Sequence, residues 1–209
     1  MDSLLIVFQI IVFIFSAVIH EVSHGLMAEK LGDPTARLAG RLTLNPLKHL
    51  DPFGSVILPL MLSFVPGGVI FGWAKPVPYN PYNLKNPERG AAFIAAAGPL
   101  SNLAAAVGLS VVYHLLGLVT SDILLLARDL IGVMVFINVV LAVFNLIPIP
   151  PLDGAKVAQF LIPDSAGGLK YFFRENNPYG WVLLLALIFV GLPLLAPIVS
   201  AISGFLLGI

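Results

Sequence analysis

The chain has 209 residues, of which 58% are hydrophobic and only 11% are charged, and its formal net charge is zero. Soluble domains have about 25% charged residues, so this composition indicates an integral membrane protein whose main partner is the lipid bilayer. The balanced charge argues against a nucleic-acid partner bound through a basic face. The absence of cysteine excludes disulfides and thiolate metal ligands.

Four apolar segments are long enough to cross the hydrocarbon core, which takes about 20 residues in a helix. They cover residues 4–28, 91–119, 129–149 and 181–207. The first lacks the basic start of a signal peptide, so we predict that it is retained as a span. We therefore expect an all-α polytopic membrane protein in which residues 1–209 form a single domain.

The stretch between the first two predicted spans is rich in proline. Its apolar run, residues 53–65, is interrupted by Pro59 and followed by Pro66, and it is too short for a full crossing. Long helices are unlikely among so many prolines, whereas strands and turns near the membrane surface are compatible with them. We predict a segment that is either re-entrant or a membrane-associated β hairpin over about residues 36–80.

Basic residues lie almost entirely on one side of the membrane in this topology. Arg128 alone falls on the other side, while ten Lys and Arg residues share the crowded side: Lys30, Arg37, Arg41, Lys48, Lys75, Lys85, Arg89, Lys156, Lys170 and Arg174. The positive-inside rule makes the crowded side cytoplasmic and places both termini outside. The protein is thus expected to be a multi-pass protein of the cell membrane.

The first predicted span contains the run IHEVSHG, in which His20, Glu21 and His24 form an HExxH pattern. On a helix this pattern places two imidazoles one turn apart on one face, with a carboxylate beside them, as in zinc proteases. Ionisable groups at membrane depth are costly and usually functional. The alternative is a chance match, or a buried histidine pair that hydrogen-bonds to neighbouring helices.

A catalytic zinc ion commonly has three protein ligands, and Asp153 is the best candidate for the third. It lies in NLIPIPPLDG, residues 145–154, where prolines end the third span on the same side of the membrane as His24. The alternative for Asp153 is a turn or capping carboxylate. Of the two other histidines, we expect His49 to be solvated in its loop, and His114 lies near the far end of the second span.

Three motifs, HEVSH, AAAGPLSN and NLIPIPPLDG, occur in the order found in the site-2 protease family, which the chain resembles over roughly residues 10–155. The members of this family are intramembrane zinc metalloproteases. The resemblance implies regulated intramembrane proteolysis of a transmembrane-helix substrate and one Zn²⁺ per chain. It also implies that His20, His24 and Asp153 are the zinc ligands and that Glu21 is the general base.

The same resemblance implies roles for two asparagines. Asn145, eight residues before the aspartate, matches a family residue thought to hold the substrate or to stabilise the oxyanion. The alternative for Asn145 is an interhelical hydrogen bond. In AAAGPLSN we expect Gly98 to allow close helix packing and Asn102 to face the site.

The chain resembles the compact prokaryotic branch of the family, without a PDZ or CBS domain. In that branch the segment after the first span is expected to form strands that present an edge to an unwound substrate. A competing hypothesis is a non-enzymatic membrane metal-binding or scaffold protein that retains the ligands, for which Glu21 would be unnecessary. The sequence does not specify the substrate, any earlier cut by another protease or the oligomeric state.

Overall fold

A computed structural model describes residues 3–57, 61, 74–118, 121–174 and 177–209. The described part is mainly helical, with eight α-helices: α1 (Ser3–Lys30), α2 (Thr35–Leu38), α3 (Pro87–Leu116), α4 (Asp122–Asn145), α5 (Asp153–Leu161), α6 (Gly167–Phe172), α7 (Tyr179–Ala186) and α8 (Leu192–Leu207). Short helical turns occupy Pro46–Lys48, Pro52–Ile57, Pro81–Asn83, Asp164–Ala166 and Leu187–Gly191.

Three of these helices, α1, α3 and α4, are long and apolar enough to cross a membrane. The shortest of the three has 24 residues and is therefore about 36 Å long, which exceeds the hydrocarbon thickness. These helices coincide with the first three predicted segments, although α4 begins seven residues before the predicted start at 129. The earlier start brings Arg128 into the helix, beside Asp129.

Helix α3 is the centre of the bundle and packs against α1, α4, α5 and α8. Its contact faces carry small buried residues, such as Ala95, Gly98 and Ala106. Small residues let transmembrane helices approach closely enough for backbone and side chains to interdigitate. At the far end from Asp153, a hydrophobic cluster joins Ala106 to Val135 and Val139 of α4 and to Leu207 of α8.

The fourth predicted span, residues 181–207, is not one straight helix. The segments Tyr179–Gly191 and Pro193–Leu207 are both helical, but they are bent by 71° relative to each other. Pro193 has no N–H to donate and its ring crowds the preceding turn, which is the usual cause of such a kink. This pair therefore forms either one broken span or a re-entrant element.

The predicted β hairpin over residues 36–80 is wrong for the part of that region that the structure describes. Residues 36–57 form short helical turns and connecting loops, and residues 74–80 are extended but belong to no strand ladder. Pro76 and Pro78 lack the N–H donors that pairing along a strand requires. The remainder of the predicted re-entrant segment, residues 58–60 and 62–73, lies outside the described residues.

A buried carboxylate fixes the chain just after α1. Asp33 has no exposed surface and accepts hydrogen bonds from Thr35, from the Asn80 backbone N–H and from the Asn83 side chain. Although burial alone would raise the pKa of this carboxyl, the hydrogen bonds from Thr35, Asn83 and Asn80 hold it below its ordinary value of 3.8. Asp33 thereby joins the end of α1 to the turn before α3.

We expect Asp33→Asn to destabilise the protein, because the amide presents a donor to groups that themselves donate. Losing hydrogen bonds to a charged acceptor costs on the order of 1.5–3 kcal/mol. Since the folded-state pKa is depressed, this stabilisation is present above pH ~3.9 and is lost as the pH falls through the lower folded pKa. Thermal unfolding in detergent at a series of pH values would show a difference from wild type at pH 7 that shrinks in acid.

Asp129→Asn is the control, since Asp129 is an exposed carboxylate in α4. It should leave the unfolding temperature unchanged across the same pH range. Equal stability of Asp33→Asn and wild type at pH 7 would contradict the role given to Asp33.

Candidate metal centre

Three potential ligands from two distant parts of the chain meet in the interior of the bundle. Helix α1 places His20 and His24 one turn apart, with ring centroids 4.6 Å apart and ring planes almost perpendicular. The Asp153 Oδ2 lies 3.1 Å from the His20 Nε2 and 3.3 Å from the His24 Nε2. The structure therefore brings together the three residues that the sequence predicts as metal ligands.

The hydrogen-bond partners of the imidazoles determine which ring nitrogen is free. The His24 Nδ1 lies 2.6 Å from the Ile94 carbonyl oxygen, which can only accept, so Nδ1 carries the proton. The His20 Nδ1 lies 2.7 Å from the Asn102 Oδ1, which is likewise an acceptor. In each neutral ring the lone pair is then on Nε2, which faces Asp153.

This arrangement fits a zinc ion. Two imidazole nitrogens and one carboxylate oxygen are a common ligand set of catalytic zinc. Ligand atoms about 2.0–2.1 Å from a tetrahedral zinc lie about 3.3 Å from one another, close to the two distances measured here. The side chains of His20, His24 and Asp153 are only 8%, 12% and 16% exposed, so a cation would also offset the burial of the carboxylate.

Gly98 of α3 makes room for the two imidazoles. A Cβ atom at this position would lie 2.4 Å from the His24 Cε1 and 2.6 Å from the His20 Nε2. Both distances are well inside van der Waals contact. The absence of a side chain at Gly98 is therefore a requirement of the metal centre, beyond the close packing that the sequence predicts.

A second glycine fixes the position of Asp153. This residue begins α5, directly after a loop that turns back against the end of α4. A Cβ on Gly154 would lie 2.2 Å from the Leu146 carbonyl oxygen and 2.5 Å from that of Ile147. Because only glycine allows this approach, the Asp-Gly pair lets the chain bring Asp153 back towards α1.

Glu21 contacts an extended segment, residues 74–80, that runs past α1. The Val77 N–H donates to the Glu21 Oε2 at 2.9 Å. The same segment is held on one side by Arg41, which donates to the Lys75 carbonyl oxygen, and on the other by Asp33, which accepts from Asn80. The sequence gives no signal for this contact of Val77, because it is made through the backbone.

The remaining candidates hydrogen-bond to other groups in the described structure. Asn145 donates to the Leu141 carbonyl oxygen one turn back in α4, and its role in substrate binding stays a prediction. The expectation that His49 is solvated is wrong: His49 is 1% exposed, and its Nε2 lies 2.9 Å from the Thr43 carbonyl oxygen. His114 instead contacts the Leu206 carbonyl oxygen near the end of α8.

Comparison with known proteins identifies relatives of the same kind. The family model described as peptidase family M50 matches residues 124–189. YwhC of Bacillus subtilis is 38% identical over 86% of this chain and 79% of its own length, and its printed name is "Putative zinc metalloprotease YwhC". Similarly named proteins are MJ0611 of Methanocaldococcus jannaschii, 32% identical over 90% of this chain and 80% of its own length, and Rip2 of Mycolicibacterium smegmatis, 30% identical over 84% and 64%.

No solved structure matches this chain significantly. The family relationship therefore depends on sequence, and it agrees with the ligand set that the fold assembles. Together they identify the metal as zinc and the chemistry as that of a metalloprotease.

We expect Gly98→Ala to abolish zinc binding or to weaken it severely, because the added methyl group would occupy the space of both imidazoles. Zinc content after purification and affinity against a competing chelator would measure the effect. Loss of zinc should be accompanied by loss of peptidase activity.

Gly108→Ala is a matched control on the same helix, since a Cβ at Gly108 would meet nothing within 4 Å. This variant should bind zinc like wild type. Normal zinc affinity in Gly98→Ala would contradict the close approach described for α1 and α3.

Proposed function

The chain belongs to peptidase family M50, and from this premise we propose that it is an intramembrane endopeptidase that hydrolyses peptide bonds in or near the transmembrane helices of other membrane proteins. The observation that carries this proposal is the position of the metal centre. His20 and His24 lie in the C-terminal half of a helix that is apolar enough to span a membrane, and Asp153 reaches them from the start of α5, after the loop that follows another such helix.

The depth of the site follows from helix geometry. His24 and His20 precede the end of α1 at Lys30 by 6 and 10 residues, which corresponds to about 9 and 15 Å along the axis. These distances would place the site inside the hydrocarbon region, close to one face of the membrane. A scissile bond brought there would come from a membrane-embedded segment or from its end.

The crowded basic side of the chain supports a cytoplasmic position for this face. Lys30 is the last residue of α1, Arg89 lies in the first turn of α3 and Lys156 lies in α5, all at the end of the bundle that holds the metal centre. Arg128 lies near the start of α4, towards the opposite end. By the positive-inside rule, a multi-pass topology with the metal centre near the cytoplasmic surface is favoured.

The chemistry divides between the metal and the residues of the chain. Bound zinc supplies Lewis acidity, which polarises a peptide carbonyl and makes water acidic enough to lose a proton near neutral pH. His20, His24 and Asp153 would hold the ion. Glu21, next to a ligand in sequence, would accept the proton from the attacking water and pass it to the leaving amine.

We expect Glu21→Gln to lower peptide hydrolysis by at least about 10²–10⁴-fold, since a glutamine side chain cannot accept the proton. Zinc should remain bound, because Glu21 is not one of the three grouped ligands. The measurement compares zinc content and cleavage of a transmembrane-helix substrate reconstituted in liposomes.

Glu29→Gln is the matched control, as Glu29 lies in the same helix and pairs with Arg37 rather than with the metal centre. Its cleavage rate should equal that of wild type. Cleavage by Glu21→Gln at the wild-type rate would refute the proposed role of Glu21. Zinc binding by wild type without cleavage of any membrane substrate would favour a metal-binding or scaffold protein instead.

A further inference from the structure

Two buried asparagines link the metal centre to helix α4. Asn102 of α3 is fully buried and Asn138 of α4 is 3% exposed. The Asn102 side chain contacts the His20 Nδ1, the Ser16 carbonyl oxygen and the Asn138 Oδ1. Among the described residues, the Asn138 side chain hydrogen-bonds to Asn102 and Met134 and to none of His20, His24 and Asp153, so its link to the metal centre runs through Asn102.

The donors and acceptors in this series of hydrogen bonds are fixed by its first member, the bond from Asn138 to the Met134 carbonyl oxygen. The Asn138 Nδ2 donates to the Met134 carbonyl oxygen at 2.9 Å, so its Oδ1 must point towards Asn102. The Asn102 Nδ2 donates to that Oδ1 at 3.0 Å and to the Ser16 carbonyl oxygen at 3.2 Å. Its own Oδ1 is thereby left to face His20.

The opposite orientation of Asn102 would be unfavourable on two sides. Its Oδ1 would face the oxygens of Ser16 and Asn138, and three acceptors would meet without a donor in a buried space. Its Nδ2 would face the His20 Nδ1 and would favour the tautomer with the proton on Nε2. That tautomer has no lone pair on Nε2 to bind a metal ion.

We propose that Asn102 and Asn138 form an amide relay that holds His20 in the tautomer competent to bind metal. Asn102 positions the ligand directly, and Asn138 positions Asn102. The relay requires only the metal centre, so it is independent of which substrate the protein cleaves. Partners that orient a histidine ligand commonly alter metal affinity by about 10- to 100-fold when they are removed.

A double-mutant cycle on zinc affinity tests the relay. Asn102→Ala should weaken zinc binding by about 10- to 100-fold, measured by chelator competition on folded protein. Asn138→Ala should weaken it by at least about twofold, the lower end of the coupling between residues of one hydrogen-bond network. In the double variant the affinity should equal that of Asn102→Ala alone, because Asn138 acts only through Asn102.

Cobalt substitution supplies a second readout that general destabilisation would not move. The visible absorption bands of the cobalt protein should shift in Asn138→Ala, because the ligand geometry at His20 changes. Ser203→Ala is the control: its hydroxyl is buried in α8 and has no hydrogen-bond partner in the described structure. This control should leave both zinc affinity and the cobalt spectrum unchanged.

Two results would overturn the relay. One is wild-type zinc affinity and an unshifted cobalt spectrum in Asn138→Ala. The other is additive losses in the double variant, which would mean that the two asparagines act separately. If Asn102→Ala fails to fold, Asn138→Ala alone tests the relay. Weakened zinc affinity with a shifted cobalt spectrum supports the relay, and wild-type values of both refute it. Failure of wild type to cleave a membrane substrate would refute the proposed function and leave these binding results unaffected.

Discussion

The close approach of α1 and α3 at Gly98 is the constraint on which the metal centre depends. The imidazoles of His20 and His24 occupy the volume in which a side chain of α3 would otherwise lie. Alanines on the neighbouring turns of α3 keep the two helices together around this point. The distance between the helices therefore sets the geometry of the ligands, and α3 contributes to the centre without supplying a metal ligand.

Burial makes the hydrogen-bond partners of the ligands as important as the ligands. Each imidazole uses its Nδ1 on an acceptor, the Ile94 carbonyl for His24 and the Asn102 side chain for His20. One acceptor is fixed by helical backbone, whereas the other is an amide that could rotate. An amide at such a position needs further partners to define its orientation, and α4 provides one through Asn138.

The sequence predicted those site residues that belong to motifs with a fixed local spacing. HExxH indicates two candidate ligands on one helix face, the aspartate after a proline-rich helix end is the candidate for the third, and the structure groups these three side chains. Prediction from the sequence failed for contacts that are made by the backbone or that depend on segments far away in the chain. No local pattern in the sequence predicts the hydrogen bond of the Val77 N–H or the burial of His49. The bend in the last predicted span, in contrast, coincides with Pro193, a residue that marks such a break in the sequence. The expected strands do not form in the described residues, where Pro76 and Pro78 lack the N–H donors that strand pairing needs.

Glu21 accepts a hydrogen bond from the Val77 N–H in addition to its proposed role in proton transfer, and a substitution can remove the second without the first. The segment that carries Val77 is also held by Arg41 at Lys75 and by Asp33 at Asn80, so its course does not depend on Glu21 alone. A glutamine at position 21 retains a carbonyl oxygen that can accept from the Val77 N–H. Replacing Glu21 by glutamine can therefore leave both the extended segment and the group formed by His20, His24 and Asp153 in place.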